Sequence, residues 1–148
     1  RSTQERGICM VYKTCGDTIA VRLEKGEEIV SSIRAICEKE GVKAGTIQGL
    51  GAADHSVVGI FDFTKNAYVS NTFDQDMEIT ALIGNVSTKD GELYLHIHAT
   101  LGDDKGLAHG GHLNEAVVSA TCELFIRKLD MVIERKADPK TGINLMVF

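Results

Sequence analysis

Positive charge, paired cysteines, proline and long apolar runs are all scarce in this 148-residue chain. Sixteen Lys and Arg stand against 21 Asp and Glu, for a net charge of −5. Proteins that grip nucleic acid unaided show a basic face. The acidic balance leaves room for a local basic patch but argues against tight, unassisted DNA binding. No apolar run approaches the roughly 20 residues that span a bilayer, and mean hydropathy is near zero, so no membrane segment is expected. Residues 1–9 show no signal-peptide pattern and are set aside as an N-terminal extension, with one domain over 10–148. The four cysteines, Cys9, Cys15, Cys37 and Cys122, form no C-x-x-C pair. They read as reduced, mostly buried thiols of a cytoplasmic protein. The only proline, Pro139, sits in a turn, and no repeat, low-complexity run or linker divides the chain.

What is abundant is alternation. Leu93, Leu95, Ile97, Ala99 and Leu101 interleave with Tyr94, His96, His98 and Thr100, the period-two pattern of a half-buried strand. The same alternation runs through Ile19–Leu23 and Val118–Arg127, and Val57–Phe63, the more polar Ala67–Phe73 and the β-rich Met77–Ser87 read as further strands. Shorter extended pieces are expected at Met10–Tyr12, Val42–Gln48, Met131–Arg135 and Ile143–Phe148. Thr88-Lys89-Asp90-Gly91 is a hairpin signal that sets Met77–Ser87 antiparallel to the histidine strand. One stretch breaks the pattern. Ile29, Ile33, Ile36 and Cys37 fall on a single helical stripe within Glu27–Glu40, and Gly41 stops it. Eight to ten strands and one helix give an α+β fold, a largely antiparallel sheet with one covering helix.

Two glycine-rich stretches need separate readings. Gly49-Leu50-Gly51-Ala52-Ala53-Asp54 lacks the third glycine of a dinucleotide fingerprint and is followed by extended sequence. Its glycines are expected at a bulge or a close strand contact. Gly110-Gly111 is expected to turn the chain sharply after a polar loop, Asp103 to His109, and so to deliver His112.

His96 and His98 share one face of their strand, about 7 Å apart at the backbone. With His112 arriving from a distant loop, three imidazoles form a set that can hold zinc or a similar divalent ion and leave one position open. Such an ion lowers the pKa of its bound water to about 7. Glu78, at the far end of the hairpin arm, is expected toward the end bearing His98, either as a base or an orienting carboxylate or as an exposed charge at the start of its strand. His109 is an alternative ligand or an exposed loop residue, and His55 has no assigned role. The plainer alternative is that the histidines are polar strand residues without a metal.

Taken together, Gln48-Gly49-Leu50-Gly51-Ala52, Met77-Glu78-Ile79, Leu95-His96-Ile97-His98-Ala99 and Gly110-Gly111-His112-Leu113 resemble the PPC domain, conserved in plants and prokaryotes. The likeness runs from about Met10 to Arg135. It implies an antiparallel α/β fold, a homotrimer, a DNA-binding or regulatory role, and a three-histidine metal site carried onto His96, His98 and His112. Plant relatives add Arg-Gly-Arg-Pro hooks for the DNA minor groove; no such segment occurs in this sequence. The two expectations carried forward are a metal-binding, DNA-associated domain and a metal-dependent enzyme acting on a small molecule.

Overall fold

Residues 11–148 are described by a computed structural model, so the extension 1–9, Cys9 and Met10 lie outside the described residues. Alternating apolar residues build nine strands around one helix. In chain order they are β1 (Val11–Cys15), β2 (Thr18–Glu24), α1 (Ile29–Lys39), β3 (Gly45–Asp62), β4 (Ala67–Phe73), β5 (Met77–Lys89), β6 (Glu92–Gly102), β7 (Ala108–Lys128), β8 (Glu134–Ala137) and β9 (Asn144–Val147). All join one sheet, ordered β1-β2-β7-β3-β5-β8-β9, with β4 added to β3 and β6 paired to both β5 and β7. Every pairing is antiparallel except the single parallel pair Thr88–Glu134. This is the expected mostly β architecture with one short helix.

The helix is shorter than the expected Glu27–Glu40 because Glu28 and Glu40 are its caps rather than part of its turns. The Glu28 carboxylate accepts from the backbone N–H groups of Val30 (2.9 Å) and Ser31 (2.7 Å), satisfying donors that a helix start leaves open. It also accepts from the Ala116 N–H of β7 at 3.0 Å, so one side chain starts the helix and pins it to the sheet. Ile29, Ile33, Ile36 and Cys37 then join Leu23, Ile47, Leu124 and Ile126 in one buried cluster. Cys122 is buried as expected, whereas Cys15 is exposed.

The expected breaks between strands are mostly absent. Most of the two expected pieces, residues 45–48 and 57–62, belong to one 18-residue strand, β3 (Gly45–Asp62), which bends instead of ending, while Val42 to Ala44 and Phe63 lie outside it. Its register against β5 shifts between Gly49 and Gly51, the expected bulge. A Cβ at Gly51 would lie 2.4 Å from the Thr121 carbonyl oxygen, so β7 passes too close for any side chain there. Asn114–Lys128 is a strand, as its alternation requires, but β7 starts earlier, at Ala108. The expected strand at Met131–Arg135 forms later, at Glu134–Ala137, and the last one spans Asn144–Val147. Among the described residues no helix is long and apolar enough to cross a membrane.

Candidate metal centre

The turn between β5 and β6 fixes the histidine strand. Asp90 and Gly91 both have positive φ (52° and 78°), the conformation of a two-residue hairpin turn. Counting back from the Lys89–Glu92 pair places Asn85 opposite His96 and Ile83 opposite His98. On its other side β6 pairs with the start of β7, where His98 lies opposite His112. His112 is therefore a strand residue, and the expectation that Gly110-Gly111 forms a sharp turn is corrected. Both glycines lie inside β7, and their role is closeness. A Cβ at Gly110 would stand 2.8 Å from the Ala99 carbonyl oxygen, and one at Gly111 would stand 2.7 Å from that of Gly59. The loop is only residues 103–107. The Asp103 carboxylate shapes it by accepting from the Lys105 and Leu107 N–H groups, both at 2.9 Å.

The three imidazoles converge. Their ring centroids are 4.9 Å (His96–His98), 4.9 Å (His96–His112) and 5.1 Å (His98–His112) apart. One ligand nitrogen from each lies within 4.8 Å of the other two, and the Nε2 atoms of His96 and His98 are 3.1 Å apart. Nitrogens at 2.0–2.1 Å from a tetrahedral zinc stand about 3.3 Å from one another, so the donor set fits such an ion with small adjustments. Burial pushes His96 down to about 4, helped by His112, His98 and Arg135. Burial, then His98, also lowers His112. Both rings are neutral at pH 7, the form that presents a lone pair to a cation. Half-buried or exposed beside them is a cleft of about 440 Å³, lined by His96, His98, Asn85, Ile83, Gln48 and Thr46 among others.

The Plants and Prokaryotes Conserved (PCC) domain matches residues 10–130. The chain belongs to this family. Among solved structures, one of a candidate DNA-binding protein from Bacteroides thetaiotaomicron VPI-5482 is 32% identical. It covers 94% of this chain and 97% of its own, with a TM-score of 0.91. A metal-containing protein from Archaeoglobus fulgidus is 36% identical, with 93% and 99% coverage and a TM-score of 0.83. The bifunctional protein GlmU of Synechococcus sp. (strain JA-2-3B'a(2-13)) is 26% identical over 125 residues, 82% of this chain. The PCC chain spans only 18% of that relative's length.

The other singled-out residues of the PCC domain fall elsewhere. Glu78 is opposite Gly102, four residues beyond His98 and so about 13 Å along the strand. It is exposed beside Asp76, Asp103 and Asp104, in a cleft separate from the one that His96 and His98 line. It lies toward the His98 end of the arm as expected, and a bulge between Ile79 and Ala81 shortens the offset by one residue without bringing the carboxylate to the ring. His109 pairs with Leu101 and bonds through Nε2 to Asp103 Oδ2 at 2.9 Å, outside the three-ring group. That bond is the main cause holding the Asp103 carboxyl below its usual range. His55 bridges Asp74 and Glu115, and Asp74 first, then Glu115, raise its pKa. Sequence reasoning missed Asn85, Gln48 and Thr46. The hairpin signal with a residue count from Asp90-Gly91 finds Asn85, and the remaining two follow only from the β3–β5 register.

Proposed function

We propose that the chain is a metal-binding PCC-domain protein in which His96, His98 and His112 hold one divalent ion, zinc by preference. The carrying observation is the convergence of three ring nitrogens within 4.8 Å on a sheet face. All-imidazole donors suit zinc better than magnesium or calcium, which take oxygen. A bound zinc would supply Lewis acidity and an open position, while the chain holds His96 and His112 neutral and aims all three rings. The metal-containing relative from Archaeoglobus supports the same reading.

The family resemblance adds a homotrimer and a regulatory or DNA-associated role, and the cysteines, none in a C-x-x-C pair, favour the cytoplasm. Exposed Leu50 (54%), Ile83 (66%) and Phe125 (50%) support self-association. Ile83, Gln48 and Phe125 pair across β5, β3 and β7, so they share one sheet face. A face of this kind is a contact surface in waiting. The Bacteroides relative supports the DNA role, and the net charge of −5 makes that role dependent on local patches or a partner.

A second reading, a metal-dependent enzyme acting on a small molecule, is favoured by one observation. The cleft beside His96 and His98 is open, and among the described residues no fourth side chain joins the three-ring group. Elemental analysis of untagged protein tests the metal: one equivalent is expected in the wild type and a large loss in His96→Ala. Absence of metal from wild type supplied with zinc would end both readings. Retardation of duplex DNA that fades with salt tests the DNA role, and no retardation at low salt removes it. Sedimentation tests the trimer.

A further inference from the structure

Arg135 is a buried cation, only 6% exposed, with an unusual set of partners. Its guanidinium donates to Ser87 Oγ (2.7 Å), the Asn144 carbonyl (2.9 Å) and Asn85 Oδ1 (2.8 Å), and it lies 4.9 Å from the centroid of the Tyr94 ring. Every acceptor is neutral, and among the described residues no carboxylate pairs with it. A buried charge satisfied only by dipoles keeps its field, and the surroundings favour a counter-anion.

The bond to Asn85 also orients an amide. Arginine only donates, so the Asn85 atom facing it must be oxygen, and the NH2 group points away from the guanidinium. Among the described residues no acceptor takes those two hydrogens. Asn85 is the cross-strand neighbour of His96 and lines the same cleft. None of the residues lining that cleft is Asp, Glu, Lys or Arg. One wall is apolar, formed by Ile83, which is 66% exposed and belongs to the face proposed above for self-association, so the cleft opens beside that contact.

We propose that this cleft binds a small organic carboxylate. One oxygen takes the open position of the ion held by the three histidines, the Asn85 amide donates to the carboxylate, and the hydrocarbon part lies along Ile83. The inference rests on the metal reading above. It adds the chemical class of the ligand and assigns Asn85, held by Arg135, as a specificity residue. An anion suits this site because a divalent ion bound by the histidines would add its charge to that of the buried guanidinium behind Asn85, and no acidic side chain lines the cleft to offset them. A carboxylate suits it better than phosphate because the cleft offers an apolar wall as well as donors.

Cobalt(II) serves as the probe, since its visible absorption reports a change of ligand. The full chain is loaded with cobalt, the metal is counted by elemental analysis, and butyrate is titrated, with inorganic phosphate and 1-butanol as comparisons. Butyrate is expected to change the spectrum saturably and at lower concentration than either comparison. Asn85→Asp, which keeps an oxygen for Arg135 but sets a negative charge in the cleft, should retain the cobalt and bind butyrate at least about tenfold more weakly. Asn85→Leu, which removes the donor without adding charge, should move the same way, and circular dichroism checks that both variants fold. A fully loaded protein whose spectrum ignores butyrate would overturn the proposal. So would phosphate or butanol binding as well as butyrate, or both variants binding butyrate like wild type. Failure to take up cobalt at all would overturn the metal reading, and the metal count separates that result from the others.

Discussion

Replacing Gly111 by alanine tests whether the two glycines before His112 serve closeness or turning. The new Cβ would sit 2.7 Å from the Gly59 carbonyl oxygen, where ordinary contact begins near 3.4 Å. The β7 and β3 backbones must therefore part by about 0.7 Å at the register pair Gly59–His112. Forced separation in a packed sheet costs ~1–3 kcal/mol, which for a domain of this size lowers Tm by roughly 2–12 °C. The same displacement moves the His112 ring. Metal sites tolerate about 0.5 Å of misplacement, so zinc affinity should fall at least about tenfold, read by competition with a chromophoric chelator. Gly111→Asn sharpens the test. In a left-handed turn asparagine is nearly as good as glycine, whereas in this strand it should be worse than alanine. Gly106→Asn is the control: that glycine has φ +75° with open space around it, so asparagine should be better tolerated there than alanine. Wild-type Tm and zinc affinity in Gly111→Ala, or asparagine better tolerated there than alanine, would refute the close-packing account.

Leu124, 1% exposed in the central strand, should cost ~2–5 kcal/mol on replacement by alanine, measured by urea unfolding. Glu78→Gln should leave metal stoichiometry unchanged by elemental analysis; a loss would put the carboxylate back at the site. In the metal-free protein His96 titrates near 4 rather than its ordinary 6.5. Between those values the unfolded chain holds more protons at this ring than the folded one, so its contribution to stability is full above pH 6.5 and is lost as pH falls towards 4. NMR of the His96 ring should show it still neutral at pH 5.5, and a midpoint near 6.5 would contradict its burial.

The legible parts of this chain are those where one local rule decided the outcome. Alternation around His96 and His98 needed no tertiary information, because a half-buried strand writes its two faces directly into the sequence. Val118–Ile126 was legible for the same reason. The Gly110-Gly111 reading failed because glycine carries two physical uses, freedom of φ and absence of bulk, and only the partner strand tells which applies. Residues 42–63 looked like two strands because a bulge at Gly49–Gly51 imitates a break. The end of the arm that carries Glu78 is legible from the Asp90-Gly91 turn, whereas its separation from His98 depends on a bulge between Ile79 and Ala81 that no sequence signal marks. The Arg135–Asn85 link joins positions 50 apart in sequence, and no pattern in a single chain announces such a pair.

The long strand β7 touches β2, β3 and β6 at different points along its length. Its consequence concerns the order of assembly during synthesis. The hairpins β1–β2, β3–β4 and β5–β6 each close over a few residues and can form as they leave the ribosome, but the middle of the sheet must wait for residue 128 to emerge. Pairings over such sequence separations are slow, and His112 arrives with them. A metal ion meets a finished cradle and is in no position to guide the earlier steps, so refolding rates should be indifferent to zinc even where final stability is not.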